Sequence, residues 1–362
     1  MEVLDVDIFG SVYRDRRVMI TGHTGFKGSW LTLLMKSLGA QVIGFSLPPE
    51  PNSHYEALDL SLEDVYADIC DRELVAAAID RYQPEIIFHL AAQPLVRESY
   101  RNPFDTWQTN LGGTLNILEA ARRTPSVRAL VCITTDKVYE NNEVGIPFIE
   151  TDRLGGHDPY SSSKAACELL IDSYNKSFFR STGAPLTASV RAGNVIGGGD
   201  WGAERLIPDA IRAITSGETL IIRNSAAVRP WQHVLDCVFA YAAIGRELLG
   251  GNHTFARPWN IGPTDEVQLT VHELLLQLQK HIPRLAWREQ SSENMRESSL
   301  LSLNCTALQR ALGWSGVWNT TVSIEKTAEW YAAHIADNRV TSAEQLHNFV
   351  CSAEARGAGW IR

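Results

Sequence analysis

Val18-Met19-Ile20-Thr21-Gly22-His23-Thr24-Gly25-Phe26-Lys27-Gly28-Ser29-Trp30-Leu31 is the stretch on which the fold turns. An apolar run meets three glycines in G-x-x-G-x-x-G spacing, and behind them Trp30, Leu31, Leu34 and Leu38 recur at helical spacing until Gly39. A strand, a glycine turn and a helix in that order place unpaired helix N–H groups and the positive end of the helix dipole at the turn. Glycine there lets the backbone approach a pyrophosphate. Gly22, Gly25 and Gly28 are therefore candidate dinucleotide contacts, although the glycines alone also fit an ordinary tight turn.

Outward from this stretch the alternation continues. Val42-Ile43-Gly44-Phe45, Val65-Tyr66-Ala67, Ile86-Ile87-Phe88 and Leu130-Val131-Cys132-Ile133 are short apolar runs, and a helix predicted after the second carries Leu74, Val75, Ala78, Ile79 and Tyr82 on one face. Apolar runs separated by helices predict parallel strands buried on both faces, hence an α/β, Rossmann-type doubly wound sheet. Ala188-Ser189-Val190 extends it and Trp259-Asn260-Ile261 returns to it. The expected organisation is a dinucleotide-binding domain over residues 1–190, with parts of 231–263, and a smaller mixed C-terminal lobe over 191–362 that binds substrate.

A chain of 362 residues suggests two domains, and 44% hydrophobic with 21% charged residues excludes a disordered polymer. A net charge of −9 gives the chain as a whole no footprint for nucleic acid or an anionic membrane. Met1 to Arg17 carries Glu2, Asp5 and Asp7 where a signal peptide is basic, and no apolar run is long enough to span a bilayer. The six cysteines, Cys70, Cys132, Cys167, Cys237, Cys305 and Cys351, are scattered and read as buried thiols of a cytoplasmic protein. The histidines lack ligand spacing, so no metal site is expected.

The acidic residue that usually meets the adenosine ribose is missing from the end of the Val42-Ile43-Gly44-Phe45 run, which reads Phe45-Ser46-Leu47-Pro48. From Gly44 to Asp71 there is also no Lys or Arg to neutralise a 2′-phosphate, so NAD is favoured over NADP. Ser46 is the candidate for the ribose, and Asp68-Ile69 for the adenine. Tyr160 and Lys164 share a helical face at i, i+4, where a cation beside a phenol favours the phenolate and makes a base usable near neutral pH. A solvated surface pair is the bland alternative. The polar cluster Thr134-Thr135-Asp136-Lys137-Val138-Tyr139 follows a predicted strand end, the place where open α/β sheets bind ligands.

The glycine pattern, His89-Leu90-Ala91-Ala92, Asn110 and the Tyr160/Lys164 pair together resemble the extended short-chain dehydrogenase/reductases. Within that family the chain is similar, over roughly residues 15–315, to the sugar-nucleotide 4,6-dehydratase group. That group follows its hydroxyl residue with an Asp-Glu pair. Here Asp136-Lys137 stands instead, as in the branch acting on CDP-glucose, and Thr135 replaces a frequent serine. Arg191-Ala192-Gly193-Asn194-Val195-Ile196-Gly197-Gly198-Gly199-Asp200-Trp201 and Arg229-Pro230-Trp231-Gln232-His233-Val234 match the same branch.

The resemblance implies a lyase with tightly bound NAD, a CDP-glucose substrate, a homodimer, and a place in deoxysugar formation for cell-surface polysaccharide such as lipopolysaccharide O-antigen. It implies Tyr160 as base, Lys164 on the nicotinamide ribose, Thr135 as helper, and Asp136 and Lys137 as the elimination pair. Thr21, Thr24, Phe26, Lys27, Leu90, Ala91, Ala92 and Asn110 join the cofactor contacts, and Asn194, Arg205, Arg229 and His233 become substrate contacts. A 4-epimerase, a dehydratase of another nucleotide sugar and a non-catalytic dinucleotide sensor remain the alternatives.

Overall fold

A computed structural model of the chain describes residues 8–141, 145–263, 269–290 and 301–362; Glu2, Asp5 and Asp7 lie outside the described residues. The first half alternates β1 (Arg17–Thr21), α1 (Phe26–Ser37), β2 (Gln41–Ser46), β3 (Glu63–Tyr66), α2 (Arg72–Tyr82), β4 (Ile86–His89), α3 (Gly113–Arg123), β5 (Ala129–Ile133), α4 (Pro159–Ser177) and β6 (Leu186–Ala192). After α5 (Leu206–Ser216) and α6 (Val234–Leu249), β7 (Pro258–Ile261) returns to the sheet edge beside β6. The sheet order is β7-β6-β5-β4-β1-β2-β3, and every pair is parallel. Chain direction across the sheet reverses between β1 and β4, and their carboxyl ends, Thr21 and His89, pair in register at that switch point. Doubly wound sheets open their ligand crevice there.

Two apolar clusters lie on opposite sides of the sheet. Val75, Ile79, Ile117, Leu118 and Ile171 from α2, α3 and α4 form one, while α1 and α6 supply the other through Trp30, Leu34, Val238 and Phe239. β4, β5 and β6 are buried along their full length, as continuous apolar runs between helical layers should be. β3 departs from the expectation of strands buried on both faces. It is the open edge, and three of its four residues are exposed. Leu74, expected on the buried face of α2, is 49% exposed, because the contact face of that helix centres on Val75, Ala78 and Ile79.

The remaining chain builds short two-stranded pairings and α5, α7 (Val271–His281), α8 (Thr320–Asp337) and α9 (Ser342–Ala355). Its Trp314, Trp330, Tyr331 and Phe349 join the same cluster as α1 and α6. The glycine triplet 197–199 is squeezed in this seam. A Cβ at Gly198 would lie 1.9 Å from the Trp330 ring and one at Gly197 2.6 Å from Val234, so side chains there have no room. Four cysteines are buried, but Cys70 is half-buried and Cys351 exposed on α9, which corrects the expectation of six buried thiols. Among the described residues no helix is long and apolar enough to cross a membrane.

Candidate active site

The turn after β1 forms a cradle whose shape depends on missing side chains. Gly22 has φ +72°, and a Cβ there would lie 2.8 Å from Ala91 N; one at Gly28 would lie 2.0 Å from Gly22 O. Gly25, the N-cap of α1, is exposed, and a Cβ there would meet only Gly22 O at 3.4 Å. The first turn of α1 carries no acidic residue and Gly25 offers no side-chain cap, so its amides suit an anion. Lys27 stands in the same turn, half-buried, and burial lowers its pKa while Asp136 raises it. These residues fit a dinucleotide pyrophosphate.

Polar side chains tie the cradle to the neighbouring loops. Thr21 Oγ1 accepts from Leu90 N at 3.1 Å and Ala91 N at 3.2 Å, and it bonds His89 Nδ1 at 2.8 Å. His89 Nε2 reaches Thr114 Oγ1 at 3.0 Å. Because Thr114 donates onward to Asn110 O, the Nε2–H tautomer of His89 completes the chain of donors. Asn110 lies in a π-helical turn, Gln108–Gly112, and its amide bonds Gln93 N, Gln93 O and Ser163 Oγ. With 1% exposure it holds the loop after β4 against α4, which places it behind the cofactor loops.

Ser46 Oγ, at the end of β2, bonds Thr24 Oγ1 at 2.8 Å. The carboxylate that the sequence lacks at this strand end is on β3, where Asp64 pairs with Gly44 in register. Asp64 accepts from Tyr55 Oη at 2.6 Å and bonds His23 Nε2 at 2.7 Å, and the His23 ring fills the space a Gly44 side chain would need. Asp68 closes a turn through Cys70 N, is exposed, and leaves Ile69 packed in the core with its carbonyl held by Asn116.

Beyond β5 the chain enters a short 3-10 turn, Asp136–Val138, capped by Thr135. Thr135 Oγ1 donates to Asp136 Oδ1 at 2.9 Å and accepts from Lys137 N at 3.3 Å, and it lies beside the Tyr160 phenol, whose pKa it lowers. Burial raises the Asp136 carboxyl above the ordinary range, and this outweighs the opposing pull of Lys137, Thr135 and Lys27. Burial likewise pushes the Tyr160 phenol up to about 12 against the opposing pull of Thr135 and Arg205. Desolvation of the buried phenol thus opposes the effect expected of neighbouring cations. Lys164 is buried, lowered by burial, and donates to Ile133 O at 3.2 Å. Lys137 is half-buried.

The second lobe brings some expected residues to this turn. A Cβ at Gly193 would lie 3.3 Å from Asp136 Oδ2 and 3.7 Å from Pro230, so two matched motifs close on the acid. Arg205 Nη1 contacts both Asp200 carboxylate oxygens, at 2.9 and 3.0 Å, and its charge reaches Tyr160 and Lys27. Asn194 and Arg229 are half-buried on flanking segments, with Asn194 O accepting from Gln232 N. His233 corrects the expectation of substrate contact. It has no exposed surface, its Nδ1 accepts from Leu235 N as the cap of α6, and its ring packs edge-on to Trp318 at 4.7 Å. Trp231 of the same motif is 4% exposed and packs in the core.

Sequence reasoning missed Glu168 and gave Arg191 no role. The two form a buried ion pair at 2.7 Å, with side chains 2% and 3% exposed. The signal was present in the spacing, since Glu168 continues the Tyr160, Lys164 stripe by another four residues.

A family model described as the NAD dependent epimerase/dehydratase family matches residues 18–262, and the chain belongs to that family. More particularly, it is 38% identical to CDP-glucose 4,6-dehydratase of Salmonella typhimurium over 350 residues, which are 93% of this chain and 97% of that protein. Among solved structures it resembles the dTDP-glucose 4,6-dehydratase DesIV of Streptomyces venezuelae with NAD and TYD bound. The TM-score is 0.75 at 25% identity, covering 87% of this chain and 96% of the other. Epimerase Mth375 of Methanothermobacter thermautotrophicus shares the fold at TM-score 0.79, with 23% identity over 90% and 95% of the two chains.

Proposed function

We infer that this protein is an NAD-dependent nucleotide-sugar 4,6-dehydratase that converts CDP-glucose to CDP-4-keto-6-deoxyglucose and water. The observation that carries this reading is Thr135, which donates to Asp136 and lies beside the Tyr160 phenol, and so joins a base for C4 oxidation to an acid for dehydration. A 4-epimerase has no use for that acid. Similarity along nearly the full length of a CDP-glucose 4,6-dehydratase supports the same choice of substrate.

Bound NAD would take the C4 hydride and return it at C6. The backbone of the 22–28 turn, with Thr24, Phe26 and Lys27, would hold its pyrophosphate; Ser46 and Asp68-Ile69 would hold the adenosine end. Tyr160 and Lys164 would hold the nicotinamide ribose, between loops set by Thr21, Leu90, Ala91, Ala92 and Asn110. Tyr160 would accept the C4 hydroxyl proton as phenolate, a form that Arg205 and the positive charge of bound NAD would favour against the burial that raises the phenol. Asp136, whose carboxyl burial raises toward the protonated form, would give a proton to the departing C6 hydroxyl. Each turnover thus leaves Tyr160 one proton richer and Asp136 one poorer, and the Thr135 hydroxyl between them offers the return path. Lys137 either takes the C5 proton or steadies the enolate charge. Lys137→Glu, which restores a base of opposite charge, recovers C5 exchange only in the first case; Lys137→Met recovers it in neither. Asn194, Arg205 and Arg229 would face the substrate diphosphate, for which guanidinium groups are suited.

Incubation with CDP-[4-²H]glucose tests the whole reading. The expected product has lost one water and carries deuterium at C6. An isomer of unchanged mass, or deuterium washed into solvent, refutes it.

A homodimer in a reducing cytoplasm completes the proposal. Tyr100, Phe104 and Leu169 are 57%, 75% and 61% exposed on segments that pack together, and Trp107, Leu115 and Phe178 extend the apolar surface. Sedimentation should give a dimer that Leu169→Glu weakens; a monomer at micromolar concentration overturns it. None of the six thiols is paired, which suits a reducing compartment.

A further inference from the structure

The turn that carries Thr135, Asp136 and Lys137 begins at Thr134 and ends at Tyr139, and both of its ends are gripped by one buried ion pair. Thr134 Oγ1 donates to Glu168 Oε1. Tyr139 Oη accepts from Arg191 Nη1 at 2.8 Å, and its ring lies 5.0 Å from the same guanidinium. Glu168 Oε2 closes the circuit by accepting from Arg191 Nη2 at 2.7 Å and from Ser189 Oγ at 2.7 Å.

The grip extends to both sides. Glu168 lies on the α4 stripe that holds Tyr160 and Lys164, and its charge reaches Lys164. Tyr139 donates to Asn260 Oδ1 at 2.6 Å, and Asn260 in turn binds Phe148 O at 2.9 Å and Glu150 Oε1 at 3.0 Å. Arg191 Nη1 also reaches Glu150 O at 2.9 Å. Thus the oxidation pair on α4 and the elimination pair on the turn are referred to one rigid element, although neither Glu168 nor Arg191 belongs to the groups assigned to the chemistry.

We propose that the Glu168–Arg191 pair, acting through Thr134 and Tyr139, is a positioning device that fixes Asp136 and Lys137 relative to Tyr160 and so sets the rate of dehydration separately from C4 oxidation. The proposal rests on the dehydratase reading. Tyr139→Phe is the mild test, since it deletes one hydroxyl and keeps the ring that stacks on Phe148 at 4.8 Å. Arg191→Lys keeps the charge opposite Glu168 and loses the forked reach to Tyr139.

In a single turnover of the NAD-loaded protein with CDP-glucose, followed at 340 nm and by quenched product analysis, Tyr139→Phe should slow dehydration at least tenfold while oxidation stays within threefold. Reduced nicotinamide then accumulates to higher amplitude and persists longer than in the wild type. Arg191→Lys should show the same split. Equal slowing of both steps, in proportion to lost thermal stability, or unchanged kinetics in both variants, overturns the proposal. Wild-type protein that forms no dehydrated product refutes the underlying reading and the proposal with it, and that outcome is visible before any variant is made.

Discussion

The glycine turn after β1 and the polar turn after β5 both lie beyond carboxyl ends of parallel strands, yet they are built on opposite plans. The first is shaped by absent side chains: Gly28 and Gly22 pack backbone against backbone, and Gly25 opens to solvent. The second is shaped by buried side chains whose non-local partners are 21 to 121 residues apart in sequence. A site made of backbone is robust to pH and intolerant of volume. One made of buried polar groups tolerates small changes of volume and is sensitive to charge.

Gly28→Ala and Gly25→Ala break the comparison most sharply on the glycine side. The added methyl at 28 would sit 2.0 Å from a backbone oxygen, with nothing flexible to yield. Overpacking costs about 1–3 kcal/mol where side chains can move, so a backbone clash should exceed this and leave little folded protein by circular dichroism. Gly25→Ala should fold normally and lose NAD affinity, measured by titration calorimetry. Equal stability of the two would mean that the cradle is not sterically fixed.

Outside both turns the largest response is to acid. His54, His89 and His233 are buried, and burial lowers each to about 3 from 6.5. In the window between those values the unfolded chain binds protons that the folded chain refuses, so stability is full above pH 6.5 and falls as the pH drops toward 3. At pH 5 each imidazole accounts for about 2 kcal/mol, and three for about 6 kcal/mol, comparable with the total stability of many domains. Urea midpoints at pH 7 and 5 test this, and a flat profile would remove the histidines from the account. These groups also give the pH–rate profile no limb near neutrality.

Glu168→Gln comes next. It strands the Arg191 charge in a site where Arg191 Nε already lacks a partner among the described residues. Loss of one partner of a buried pair costs about 3–5 kcal/mol. Denaturant unfolding at pH 7 should show it, with Glu168→Asp recovering part; a change under about 1 kcal/mol would put the pair in the class of exposed bridges.

The same contrast explains what could be read from the sequence. Strand–turn–helix alternation is local, so the parallel sheet, the glycine turn and the Tyr160, Lys164 stripe were legible from spacing. Periodicity puts Leu74 one helical position out of place and makes β3 an interior strand, because it does not say where a sheet ends. His233 looks like a ligand group within its motif, but its burial under Trp318 is set by residues 85 positions away. Whether the Asp136 carboxyl is raised or lowered could not be read at all. That depends on whether burial or the nearby cations dominate, and only the packed environment decides it.

Asp136→Asn is the smallest expected effect on stability and the one that separates folding from function. In the folded protein the carboxyl pKa is raised, with burial as the leading cause. A raised pKa contributes stability below the unfolded value, about 3.9, and that contribution is lost as pH rises through the folded value. At neutral pH the unfolded chain gains more than the folded chain from ionising this carboxyl, so the buried acid is a cost, offset in part by Lys137 and Lys27. Asparagine keeps the oxygen that accepts from Thr135 and carries no charge to desolvate. Asp136→Asn should be more stable than wild type at pH 7–8, by on the order of 1 kcal/mol, and the difference should vanish near pH 4. Dehydration should meanwhile fall by about 10²–10⁴-fold, with C4 oxidation still detectable at 340 nm. A variant less stable at pH 8 than wild type would mean that the cations outweigh burial, and that Asp136 is held ionised when its task is to donate a proton.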